Sequence, residues 1–169
     1  WQAFQAVRAS IEKIIAGEPP GLVVSKEHDS WYEELFRPSV TAGILKAGAL
    51  AGYRNHPVYL RGSRHTPPRV EAISDGMAAL FHRLQHEESA AVRAVLGHWL
   101  LGYIHPYPDG NVRMARFLMN TMLASGGYPW TIIDLEHRAA YMTALEAASV
   151  EGSIASFAEL IADRLAWSE

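Results

Sequence analysis

Apolar residues at Phe4, Val7, Ile11, Ile14 and Ile15 recur at helical spacing, and Gly17 followed by Pro19 and Pro20 predicts the end of that first helix. The stretch GEPPGLVVS then reads as a connector. From about Ser30 to Leu50 the pattern is helical again, with a break expected near Arg37 because Pro38 disfavours a helical conformation in the residue before it. The run GYRNHPVYLRGSRHTPP loses the period. Its VYL is short and β-prone, its RGS is a turn, and two prolines close it, so a β-hairpin is expected at about residues 53–67.

Val70, Ile73, Met77, Leu80, Phe81 and Leu84 restore a helical face. Ser89 reads as the N-cap of a helix whose apolar stripe, Val92, Val95, Leu96, Trp99, Leu100, Tyr103 and Ile104, is wide enough for the centre of a bundle. Another helix is predicted from about Asn111 to Ser125, ended by Gly126 and Gly127. Two more follow, at about Leu135–Ser149 and Ser153–Trp167, the last with the capping-box pattern SFAE at Ser156–Glu159. The sum is an all-α fold with one hairpin: an N-terminal helix and connector over residues 1–29, then a helical domain over 30–169.

Composition narrows the function classes. A chain of 169 residues forms one domain, and 15 basic against 18 acidic residues, a formal charge of −3, give no electrostatic footprint for nucleic acid or an anionic membrane. Cysteine is absent, so disulfides and cysteine-ligated metals are excluded and a cytoplasmic setting is the default expectation. The chain opens at Trp1 without signal-peptide features and reads as a trimmed fragment, and no apolar run is long enough to span a bilayer.

The chemistry concentrates in HPYPDGNVRMAR, residues 105–116, directly after the most apolar helix. If a helix restarts at about Asn111, the N–H groups from Gly110 to Arg113 face the concavity of the loop with the positive end of the helix dipole behind them, which suits phosphate. Arg113 and Arg116 stand three apart on one helix face, and their guanidinium forks suit a polyphosphate. Asp109 can bind Mg²⁺, which takes one or two carboxylates together with substrate phosphates. His105 can act as general base on a hydroxyl. These are parts for attack on an activated phosphate.

The stretch resembles the motif of Fic domain proteins, H-x-F-x-[D/E]-G-N-[G/K]-R-x-x-R, matching at His105, Asp109, Gly110, Asn111, Arg113 and Arg116, with Tyr107 in place of Phe. The likeness extends over roughly residues 30–165, with the expected hairpin where that family carries a flap and RAAYMTALEAAS as its following helix. The resemblance implies a Fic-type helical bundle that transfers AMP from ATP, with Mg²⁺, to a Ser, Thr or Tyr hydroxyl of a target protein. By carry-over His105 deprotonates that hydroxyl, Asp109 binds Mg²⁺, Asn111 contacts the α-phosphate, Gly110 lets the backbone approach, Arg113 holds the phosphates and Arg116 reaches the γ-phosphate. Tyr107 and Pro106 belong to the core and to loop rigidity. Val58, Tyr59 and Leu60 in the flap are expected to align the target by β-addition, and Tyr141 is a candidate for the base pocket or the core.

One residue departs from the motif. Val112 stands where the family has Gly or Lys; valine is stiff, disfavoured at positive φ, and expected to crowd the phosphates. Two alternatives to AMP transfer therefore stay open: a weakened or silent Fic fold that only binds, and a transferase using another nucleotide or phospho-donor. The family's inhibitory pattern, [S/T]-x-x-x-E-[G/N], is approached at Glu151-Gly152 but has Ala147 at its first position, so no inhibitory segment is evident, and three alternatives stay open: none exists, its pattern is altered, or an inhibitory segment or partner lies outside this fragment. Among the remaining histidines, the His82/His86 pair and His28-Asp29 suggest metal ligation but lack further ligands in register, and His98 is expected to pack near the site.

Overall fold

A computed structural model describes residues 1–168, and its elements among those residues are seven α-helices, short 3₁₀ and π turns, and no strand. The helices are α1 (Gln2–Ile15), α2 (Pro20–Thr41), α3 (Ile73–His86), α4 (Ala90–Ile104), α5 (Asn111–Ser125), α6 (Arg138–Glu146) and α7 (Ala155–Ser168). None of them is long and apolar enough to cross a membrane.

The antiparallel pair α4–α5 is the centre. Ser89 caps α4 as its sequence predicts, its hydroxyl accepting from Val92 N at 3.3 Å. Leu101 and Ile104 of α4 and Met114, Leu118, Met119, Met122 and Leu123 of α5 are buried in one core with Trp31 of α2 and Leu80 and Leu84 of α3. Gly97 lets the pair close up, since a Cβ there would meet the Leu118 side chain at 3.2 Å. Helices α1 and α3 pack on α2, α1 also touches α5, and α6 and α7 pack together at the other side of α4.

Four sequence expectations need correction. The stretch Gly21–Ser25 is not a connector: α2 begins at Pro20, whose fixed φ and missing N–H suit a helix's first turn, so the boundary expected at residue 29 falls inside a helix. Nor does α2 break at Arg37. Pro38 lies on its exposed side, where the carbonyl left unpaired can be solvated, and Ala42 N closes onto Pro38 O at 3.0 Å. Ser156 lies within α7 and is not its N-cap.

The β-hairpin does not form among the described residues. Residues 53–67 make a long loop turned by Ser63 N donating to Leu60 O at 3.1 Å, with Gly62 at φ +78°. Its anchoring comes from side chains rather than a ladder. Glu146 of α6 accepts from the Ser63 hydroxyl and, at 2.8 Å, from Arg64 N, while a ring nitrogen of His65 is hydrogen-bonded to Tyr103 O of α4 at 2.9 Å. With these local partners satisfied, two strands gain little by pairing.

Candidate active site

The loop between α4 and α5 is built from its backbone outward. Helix α4 ends at His105, at φ +51° and ψ +56°, the one non-glycine residue among those described with a positive φ. Gly110 is the N-cap of α5 at φ +76°, and a Cβ on it would meet the Phe36 ring at 2.7 Å. Glycine is thus required twice, by φ and by the packed ring of α2. Between the two, Tyr107 is fully buried and stacks on Tyr32 at 4.1 Å, as its assignment to the core expects.

Asn111 closes the turn. Its Oδ1 accepts from Tyr107 N and its Nδ2 donates to Tyr107 O, both at 2.9 Å, and the residue is buried. The pairing uses one of the two Nδ2 hydrogens, so Asn111 sets the shape of the loop and its second N–H is left for the expected contact with an α-phosphate. No side chain caps α5, which leaves the first-turn N–H groups to an anion.

His105 lines a cleft of about 600 Å³ together with Val112, Tyr59, Leu60 and Ser63 from the loop and Met142 and Glu146 from α6. Its imidazole pKa lies below the ordinary value, first because of burial and then because of the nearby Arg54 and His65 charges; the Gly102 carbonyl and Asp109 oppose this. Nδ1 lies 3.4 Å from Gly102 O. With the proton on Nδ1 toward that carbonyl, Nε2 carries the lone pair.

Asp109 is 80% exposed at its side chain; Oδ1 accepts from Gly110 N at 2.6 Å and Oδ2 lies 4.0 Å from an Arg113 nitrogen. The two arginines part company. Arg113 lies over the Phe36 ring at 4.8 Å, and Arg116 over the Tyr141 ring at 5.2 Å, so they flank the start of α5 from two sides. Tyr141 is only 1% exposed and its hydroxyl is hydrogen-bonded to His98 Nε2 at 2.8 Å. It is a core residue beneath Arg116 and not an open wall of a base pocket. Burial also drives the His98 pKa down to about 3, with Arg116 adding to the effect.

Val112 takes a helical φ in the first turn of α5, so the expected backbone penalty does not arise. Its side chain is 42% exposed on the wall of the cleft, where its bulk narrows the space beside His105. The metal suggestions resolve into packing: His28 is bonded to Val24 O and Tyr53 OH, His82 and His86 stack on each other, and no group of three or more His, Asp or Glu among the described residues is placed to hold an ion.

Residues 26–123 match the Fic/DOC family. The chain belongs to that family. It is 39% identical over 115 residues to a protein adenylyltransferase Fic of Drosophila virilis, covering 66% of this chain and 23% of that protein. A protein of the same name from Culex quinquefasciatus is also 39% identical over 115 residues, with 66% and 22% covered. The chain thus spans less than a quarter of these relatives. Among solved structures, Fic-1 from C. elegans superposes with a TM-score of 0.76 at 20% identity, covering 99% of this chain and 48% of that one. A Fic domain containing signaling protein from Bacteroides thetaiotaomicron gives 0.67 at 23% identity, with 99% and 69% covered. These likenesses establish the Fic fold.

Two site residues escape a reading of the Fic motif alone. Phe36, on α2, fixes Gly110 and carries Arg113; Arg54 binds the backbone at the end of α4. Neither has a sequence signal, because one acts through ring packing and the other through carbonyl groups.

Proposed function

We propose that this Fic domain is a protein adenylyltransferase, transferring AMP from ATP to a hydroxyl side chain of a target protein. The observation that carries the reading is the pairing, across one short turn, of a His105 biased to its neutral form with the uncapped N-terminus of α5. The names of the curated relatives support it.

In this reading Nε2 of His105 accepts the proton of the target hydroxyl as its oxygen attacks the α-phosphorus. The bond from that phosphorus to the bridging oxygen breaks, and pyrophosphate leaves. The first-turn N–H groups of α5 and the guanidinium groups of Arg113 and Arg116 bind the phosphates and offset the developing charge. Asp109, exposed and anionic beside that turn, fits a Mg²⁺ ion held by one carboxylate plus phosphate oxygens. Asp109 would hold that ion, which would supply neutralisation of phosphate charge. Residues 57–60 lie outside any helix or ladder, Tyr59 is exposed, and Tyr59 and Leu60 line the cleft with His105, which supports the reading that Val58, Tyr59 and Leu60 align the target's backbone beside His105.

The deciding experiment incubates the protein with labelled ATP and Mg²⁺ and measures the mass added to protein in wild type and His105→Ala. Addition of AMP that depends on His105 is expected. Label in neither protein with any nucleoside triphosphate selects the second reading, a Fic fold that binds without transfer, which the Val112 side chain on the cleft wall favours.

A further inference from the structure

Arg54 is 2% exposed, and its charge is met by backbone carbonyls rather than by a carboxylate among the described residues. Nε donates to His105 O at 2.8 Å and Nη2 to Ile104 O at 3.4 Å. The backbone N–H of Arg54 donates to Pro106 O at 2.8 Å. Three consecutive carbonyls at the turn out of α4 therefore accept from one residue. The remaining donors reach the two ends of the neighbouring loop, Nη1 to His56 O at 3.0 Å and Nη2 also to Pro68 O.

A buried cation of this kind is a costly way to stabilise a fold, since an apolar side chain of similar volume generally serves as well or better. Its placement has a specific effect. The carbonyls of Ile104 and His105 carry the negative end of the α4 dipole, and a guanidinium fork there compensates that end while fixing the directions of the peptides around His105. Those are the peptides whose orientation defines the left-handed conformation of His105, one that a β-carbon disfavours and that glycine usually supplies at the end of a helix. Glycine would end α4 without strain but would carry no imidazole.

We propose that Arg54 is a positioning residue for His105: by holding the carbonyls of Ile104, His105 and Pro106 together it keeps His105 left-handed and its imidazole at the cleft. Lysine cannot replace it, because one ammonium on a flexible stem does not reach carbonyls on both α4 and the loop. The inference rests on the transfer reading only for its kinetic consequence; the conformational part stands apart from it.

The test compares wild type, Arg54→Gln and Arg54→Lys, with folding checked by circular dichroism. In both variants kcat for nucleotide transfer is expected to fall ~10- to 100-fold, with KM for the nucleotide within about twofold, as for a displaced base beside an intact phosphate site. By NMR, the Cα shift and the φ-dependent coupling of His105 are expected to leave their left-handed values. A folded variant whose His105 signature and kcat match wild type overturns the proposal. Arg54→Lys keeps the charge and the stem, and serves where Arg54→Gln does not fold. If wild type transfers no nucleotide, the transfer reading fails on its own, and the His105 resonances still decide what Arg54 does.

Discussion

The side-chain amide of Asn111 pairs with both backbone polar groups of Tyr107, at 2.9 Å each way. A side chain here does the work of a strand partner, and it fits only an amide, which donates at one end and accepts at the other. Asn111→Asp places a carboxylate oxygen against the Tyr107 carbonyl, and Asn111→Ala leaves a buried N–H and C=O unpaired. Each is expected to lower unfolding free energy by about 2–4 kcal/mol in urea titration, with Asn111→Asp at least as damaging as alanine. A stable Asn111→Asp protein would show that the pairing is dispensable.

Gly110 is the second fixed point of the loop. Gly110→Ala forces a β-carbon into the Phe36 ring at a positive φ, and the expected cost is about 2–4 kcal/mol, from backbone strain and overpacking together. Adding Phe36→Leu should return the packing share and leave the strain share. Thermal denaturation of the single and double variants separates the two.

Val112 acts on the cleft through its side chain alone. Both Val112→Ala and Val112→Gly are therefore expected to raise nucleotide transfer. Alanine should do so without the loss of helix stability, roughly 1 kcal/mol, that glycine brings. Initial rates with labelled ATP measure this, and unchanged or lower rates in both variants would remove crowding as an explanation.

Legibility from sequence followed the type of force. The helices α4 and α5 and the turn between them were readable because a wide apolar stripe, a serine cap and a run of loop residues each leave a local mark. The start of α2 leaves no distinct mark, because Pro20 serves a first turn as well as it serves a connector. The segment around Val58 to Leu60 looked like a strand because β-prone residues look alike whether a partner strand or a set of anchoring side chains takes up the backbone. Arg54 left no mark, since carbonyl groups occur at every position and so identify no partner in a sequence.

His98 carries a pH liability. Its folded pKa of about 3 lies below the unfolded value of 6.5, so between those values the unfolded chain binds more protons and stability falls as pH falls. At pH 4 the loss attributable to this one group is on the order of 3 kcal/mol. His98→Gln, whose amide can donate to or accept from the Tyr141 hydroxyl, should flatten the stability profile between pH 6.5 and 4. Denaturant midpoints measured across that range give the answer, and an unchanged slope would show that other groups dominate.

Glu146 ties the loop over the cleft through Ser63 and Arg64. In Glu146→Ala the amides of residues 61–65 should exchange with deuterium about tenfold faster or more, while those of α4 and α5 keep wild-type rates. Equal acceleration throughout would mean that the change loosens the whole bundle.

The base and the phosphate cradle are two ends of a single six-residue connection between the most deeply buried helices, α4 and α5. Neither end has an independent hinge on which to drift. Heating should therefore leave catalytic competence intact until the bundle itself gives way, so that the curve of activity lost and the curve of helix melted fall on one another.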